Sequence, residues 1–226
     1  MIQIGKNLIR HSSVGSTNTY AAELIQKEKP EEGTVIMTEF QEKGRGQRET
    51  SWESEHGVNL LASFIFYPSI PVADHFLFNQ CIALSVHDMI ETELGKNVTI
   101  KWPNDILVND KKIAGILIEN SISGYKFQHA IAGIGINVNQ VQFKKYSPEA
   151  TSFFLERETL FVVNGLLEKL SRSLSKWYNI LNDEYYELIR TSYLSILFRK
   201  GELFSYKVAN KKIKASICKG LPSSAA

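Results

Sequence analysis

The sequence predicts an α+β fold, and three observations carry that expectation. Apolar residues recur at helical spacing near the start and again in long later runs. The middle of the chain reads as successive β-strands. With 226 residues, 43% of them hydrophobic, there is enough chain to bury one main core plus a small second unit.

Taken in order, Ser16 or Thr17 can cap a first helix, because "NTYAAELIQKEK" places Tyr20, Leu24 and Ile25 on one face and stops before Pro30. "GTVIMTEF" (33–40) is rich in β-formers, and "VNLLASFIFY" (58–67) reads as a buried strand closed by Pro68. Between them lies a glycine-rich, basic loop, "EKGRGQRETSW" (42–52). From Ala73 to Leu94 the apolar positions predict a long, mostly buried helix that contains Cys81 and ends at Gly95. "VTIKW", "ILV", "KIAGILIE" and "YKFQHAIAGIGINV" then read as strands, with a tight turn at Asn109 and Asp110. Helical spacing returns from Arg157 to about Leu181 and again from Asp183 through Leu197. The end predicts a β-hairpin turning at Asn210 and a frayed tail.

Charge and cysteine content narrow the function classes. The 26 Lys and Arg nearly balance 24 Asp and Glu, a formal net charge of +2, which argues against a dedicated nucleic-acid binder. Cys81 and Cys218 lie far apart, which argues against a disulfide framework and fits a reducing compartment, so a cytoplasmic location is expected. No run approaches the roughly 18 apolar residues of a membrane helix, and no membrane partner is expected.

Three stretches carry candidate chemistry. In the loop, Gly44 and Gly46 would let backbone N–H groups converge on an anion while Arg45 and Arg48 supply charged donors; a plain strand connection remains the alternative. "KWPNDILVNDKKIAG" (101–115) is more specific. Pro103 breaks a strand and holds Trp102 extended, which presents Lys101, Asn104 and Asp105 together, and Lys112 on the returning strand can reach the same space. "AGIGINVN" sets Gly133 and Gly135 inside an apolar strand, where glycine weakens the sheet unless something approaches its backbone, and Asn137 ends the motif. The five histidines show no metal-like spacing, and no Ser–His–Asp or Cys–His nucleophile is evident.

Taken together, "GSTNTYA", "GRGQR", "KWPNDI", "KKIAGILIE" and "GIGINV", in that order, resemble the biotin protein ligase family over most of the chain. The resemblance implies a mixed β-sheet flanked by helices, with a small C-terminal SH3-like β-barrel that looks incomplete here. On that basis 1–182 would form the catalytic domain, and 183–226 a helical connection with a truncated β segment. It also implies an activity: ATP and biotin form biotinyl-5′-adenylate, accompanied by Mg²⁺, and biotin then passes to one lysine of a biotin carboxyl carrier protein. Because the motifs begin by Ser16, too little chain precedes them for a DNA-binding unit. Whether two copies pair as a homodimer is left open.

The resemblance also implies roles residue by residue. Ser16, Thr17, Asn18 and Gln41 would hold the biotin ring system, with Gly44, Gly115, Gly133 and Gly135 lining it. Lys112 would contact the carboxylate and the activated phosphate, with Arg45 and Arg48 assisting catalysis. Arg45, Gly46, Arg48, Trp52, Lys101, Asn104, Asp105 and Asn137 would surround the nucleotide, Trp52 as a platform for adenine and Asp105 as a candidate ligand of the metal carried by ATP. One departure is Gln47, where several family members have arginine. A lipoate or octanoyl transferase of the same fold is the enzymatic rival, and a non-catalytic biotin sensor the rival from another class.

Overall fold

The structure is a computed structural model that describes residues 1–47, 50–144, 148–208 and 211–215, the last two strands by backbone alone. Seven strands form one sheet: β1 (Leu8–Val14), β2 (Val35–Gln41), β3 (Leu60–Phe66), β4 (Val98–Lys101), β5 (Asp105–Val108), β6 (Lys111–Ser123) and β7 (Lys126–Ile136). Their spatial order is β1-β2-β3-β7-β6-β5-β4, with β1 parallel to β2 and every other neighbouring pair antiparallel. The expected mixed sheet is therefore present. A separate two-stranded ladder, β8 (Phe204–Val208) with β9 (Lys211–Ala215), follows near the end.

Strand periodicity decides what each face of the sheet does. In β3, Leu60, Ala62, Phe64 and Phe66 point into the main core, as do Ala130, Ala132, Ile134 and Ile136 of β7. Against them pack α2 (His75–Leu94), α4 (Val163–Asn182) and α5 (Tyr186–Ser195), which supply Phe78, Ile82, Leu174, Tyr178, Ile189 and Tyr193. The opposite face carries only a small cluster, Ala21 of α1 (Thr17–Lys27) with Ile36, Ile65 and Ile131. That face is left partly open beyond the start of α1, and the open part is where the cavities lie.

Local signals held where they were backbone signals. Gly95 ends α2 in the left-handed region at φ 58°, its N–H donating to the Glu91 carbonyl at 2.8 Å. Asn109 and Asp110 both have positive φ, 48° and 66°, as a two-residue hairpin turn requires. The Trp102–Pro103 bond is cis, within the turn joining β4 to β5. Three features differ from expectation. β1 has no alternating apolar signal because it is an edge strand with exposed positions on both faces. A short helix, α3 (Phe153–Arg157), precedes a break at Glu158, φ 53°, so the long helix begins at Val163 rather than Arg157. Past α5 the chain covers the outer edge of β4, with the Ile100 N–H donating to the Ile196 carbonyl at 3.0 Å and Phe198 returning to Ile100 at 2.9 Å. Among the described residues no helix is long and apolar enough to cross a membrane.

Candidate active site

The site is built on glycine. Gly133 and Gly135 of β7 and Gly115 of β6 lie on the face away from α2, where Gly115 and Gly135 are directly paired. A Cβ on Gly135 would stand 2.5 Å from the Trp52 indole, and one on Gly115 2.8 Å from it. A Cβ on Gly133 would run into Oδ1 of Asn18. Close approach to the strand backbone is thus real, and the approaching groups here are the protein's own Trp52 and Asn18.

Around this floor lies a cavity of about 260 Å³. Its polar end combines the first residues of α1 with the last residue of β2, and Ser63 of β3 is buried behind them. Gln41 Oε1 accepts from the Thr17 backbone N–H at 2.8 Å and from its hydroxyl at 3.1 Å. The Ser63 hydroxyl lies 2.7 Å from Thr17 Oγ1 and 2.6 Å from Asn18 Oδ1. Asn18 Nδ2 donates to Glu119 at 2.7 Å and to the Leu117 carbonyl at 3.3 Å. Ser16 occupies the N-cap position of α1 without making a side-chain cap bond, and it lines the cavity. The result is a cluster of hydroxyls and amides at one end of a slot that polar and apolar groups line alike.

A second cavity of about 240 Å³ lies on the other side of Trp52, lined by Asn137, Phe143, Pro148 and Ala150 among others. Trp52, Asp105 and Lys112 line both cavities. Trp52 is therefore a partition, and the Lys112–Asp105 pair sits where the two spaces meet. Lys112 Nζ is 2.6 Å from Asp105 Oδ1 and 5.6 Å from the centroid of the Trp52 ring. The lysine backbone is clamped as well: its N–H donates to the Glu149 carbonyl at 2.7 Å and its carbonyl accepts from Thr151 at 2.8 Å. Such a clamp fixes where the ammonium group can reach.

The glycine-rich loop folds back on itself. Gly46 N–H donates to the Thr50 carbonyl at 2.7 Å and Trp52 N–H to the Gly44 carbonyl at 3.0 Å, while Arg45 bridges to Ser51. Both glycines serve this turn: a Cβ on Gly44 would lie 2.5 Å from the Trp52 carbonyl oxygen, and one on Gly46 would meet the Thr50 hydroxyl. The Gly46 N–H, one of those expected to converge on an anion, is here used within the loop. Arg45 reaches Glu119 at 2.8 Å. Glu53 pairs with Lys144 across the second cavity's rim. Arg48 lies outside the described residues.

Of the expected site residues, Ser16, Thr17, Asn18, Gln41, Arg45, Gly46, Trp52, Asn104, Asp105, Lys112, Gly115, Gly133 and Gly135 line the first cavity. Asn137 lines the second, but its amide is spent on structure, donating to the Thr151 carbonyl at 2.9 Å and lying 3.5 Å from that of Lys112. Asn104 likewise donates to the Ile116 carbonyl at 3.0 Å. Lys101 lines neither cavity; it ends β4 opposite Asp105. Gly44 shapes the loop from outside the lining. Two residues that support the lining without belonging to it were missed, Ser63 and Glu119, which hydrogen-bond Thr17 and Asn18. Each is a polar side chain inside an apolar strand run, and asking what partner a buried serine needs would have flagged the first. Cys81 is fully buried in α2, and burial pushes its thiol pKa well up.

Comparison with known proteins gives this fold a family. Residues 11–137 match the Biotin/lipoate A/B protein ligase family. The chain is 39% identical to the bifunctional ligase/repressor BirA of Bacillus subtilis over 137 residues, covering 61% of this chain and 42% of that protein. It is 30% identical to the biotin--[acetyl-CoA-carboxylase] ligase of Paracoccus denitrificans over 173 residues, 74% of this chain and 72% of that one. A biotin protein ligase from Aquifex aeolicus in complex with biotin and ATP superposes with a TM-score of 0.78 at 26% identity, covering 93% of this chain and 86% of that one.

Proposed function

Because this chain belongs to the Biotin/lipoate A/B protein ligase family, we propose that it activates biotin with ATP to biotinyl-5′-adenylate and transfers biotin to a lysine of a biotin carboxyl carrier protein. The observation that carries this reading is the pair of cavities that Trp52 divides and that Lys112 and Asp105 join. A two-part ligand, a ring acid in one space and a nucleotide in the other, would bring its carboxylate and α-phosphate together beside Lys112. The polar end of the first cavity suits a ureido group, which offers one carbonyl acceptor and two N–H donors to Ser16, Thr17, Asn18 and Gln41. An octanoyl chain or a dithiolane would offer no hydrogen bond to this polar end, and sites that hydrogen-bond their ligand discriminate against analogues lacking those groups.

The chemistry then needs no protein nucleophile. The biotin carboxylate attacks the α-phosphorus, the bond to pyrophosphate breaks, and Lys112 neutralises charge on the reacting oxygens. The carrier lysine, as free amine, attacks the acyl carbon of the mixed anhydride and AMP leaves. Magnesium is expected to arrive with ATP and to neutralise its phosphates. A single carboxylate, Asp105, fits that mode, because Mg²⁺ is commonly held by one or two carboxylates plus substrate phosphates, and among the described residues no group of three or more His, Cys, Asp or Glu could hold a resident ion. Trp52, which lines both cavities, would stand between the two substrates. The thiol route of an octanoyl transferase gains no support from the buried Cys81. The ladder β8–β9 is read as the start of a separate C-terminal unit.

The chain spans 42% of the length of the Bacillus subtilis protein, so the activity is tested directly on this chain. Incubation with ATP, Mg²⁺ and biotin, lipoate or octanoate, followed by mass analysis, should yield biotinyl-adenylate alone. A lipoyl or octanoyl adenylate formed in preference would overturn the assignment.

A further inference from the structure

Glu119 stands on β6, on the same face as Leu117 and the glycine floor, and its single oxygen Oε2 serves two partners. It accepts from Asn18 Nδ2 at 2.7 Å and from Arg45 at 2.8 Å. Arg45 belongs to the loop that leaves β2, whereas Glu119 is three strands away across β3 and β7. At about 4.8 Å per strand, that contact spans on the order of 14 Å of sheet. Since Arg45 and Asn18 both line the first cavity, the ion pair runs over its rim and is tied to its wall.

Resting on the functional reading above, we infer that Glu119 is a positioning residue: it holds Arg45 as a strap across the ring chamber and so slows the escape of bound biotin and its adenylate. Neutral and ionic roles separate cleanly. Asn18 requires only an oxygen acceptor, which glutamine also supplies; Arg45 requires the charge. The two side chains are 45% and 38% exposed, so salt screens the pair and its effect is modest, about 2- to 5-fold in a rate or equilibrium.

Glu119→Gln tests the strap in two independent ways. Trypsin cutting after Arg45 must take that guanidinium into its own pocket, so cleavage in ligand-free protein requires release from Glu119. Cleavage after Lys43, two residues earlier, is the internal reference. At low salt the Arg45-to-Lys43 ratio should rise about 2- to 5-fold in Glu119→Gln, and the wild-type ratio should climb toward the variant's as salt is added. An unchanged ratio overturns the inference. With ligand, dissociation of labelled biotin after a chase should be about 2- to 5-fold faster in Glu119→Gln, and Arg45→Gln added to it should produce no further acceleration. Equal dissociation from wild type and Glu119→Gln, or fully additive effects, would also overturn it. If the wild-type protein binds no biotin, the functional reading fails, while the proteolysis ratio still decides whether Glu119 holds Arg45.

Discussion

The two faces of one sheet are put to opposite uses. Toward α2 and α4, β3 and β7 present Phe64, Phe66, Ile134 and Ile136, closed over by Phe78 and Tyr178, with ring centroids 5.2 Å apart for Phe66 and Phe78 and 6.2 Å for Phe78 and Tyr178. On the reverse, β7 presents Gly133 and Gly135 to a cavity, and Ser63 of β3 is buried beneath Thr17 and Asn18. Alternation makes this possible: residues one apart in a strand never share a face, so packing and chemistry can be tuned in the same strand without interfering. Each glycine weakens its strand, and the helix side offsets that loss.

That division can be broken most forcefully on the packed side. Phe64→Ala should lower stability by about 3–5 kcal/mol in denaturant unfolding, since Phe64 is fully buried in the core. Residual protein that folds should keep its cavity. A loss below about 1 kcal/mol would mean that the helix face is not where stability resides.

On the open face the effects should appear in rate instead. Lys112→Ala should slow single-turnover adenylate formation on the order of 10²-fold or more, with a much smaller loss of stability than Phe64→Ala. Near wild-type formation would remove Lys112 from the reaction. Gly135→Ala comes next, because the new Cβ would stand 2.5 Å from the indole and must push Trp52 off the floor. Misplacement of about 1 Å at a partition between two substrates can cost up to about 10²-fold, and the Trp52 fluorescence should shift in the ligand-free protein. Unaltered catalysis with an unaltered spectrum would show that Trp52 does not divide the two spaces.

The smallest effect expected concerns acid. Asp88 joins α2 to α4, accepting from Trp177 Nε1 at 2.8 Å and from Lys176 at 3.0 Å. Burial alone would raise its pKa, but hydrogen bonds from His87, Lys176 and Trp177 outweigh burial and hold it at about 2 against an ordinary 3.8. A depressed carboxylate stabilises the fold above its unfolded value and loses that contribution as pH falls from about 4 toward 2. With its side chain 28% exposed, solvent trims the contribution to about 1 kcal/mol. Unfolding of Asp88→Asn should be correspondingly flatter over that range; an identical pH profile would remove Asp88 from the helix-side stability.

Much of this was legible in one dimension because it rests on local rules. The α2 stop at Gly95, the Asn109–Asp110 turn and the strand glycines are backbone statements, which a residue makes with its own φ and ψ. Motif order likewise pointed to the family, and residues 11–137 match it. What neighbouring residues could not reveal was partnership across strands. Nothing near Glu119 in sequence indicates that Arg45, 74 positions earlier, and Asn18, 101 positions earlier, share its oxygen. Lys101 and Lys112 look equivalent as cations of one motif, yet only Lys112 reaches the cavities. The edge strand β1 was invisible for the same reason, since an edge position selects no apolar face. Local conformation is set by steric limits within a few residues. Which side chains meet is set by sheet order, and here that order, β2-β3-β7-β6, brings residues from four separated segments onto one glycine floor.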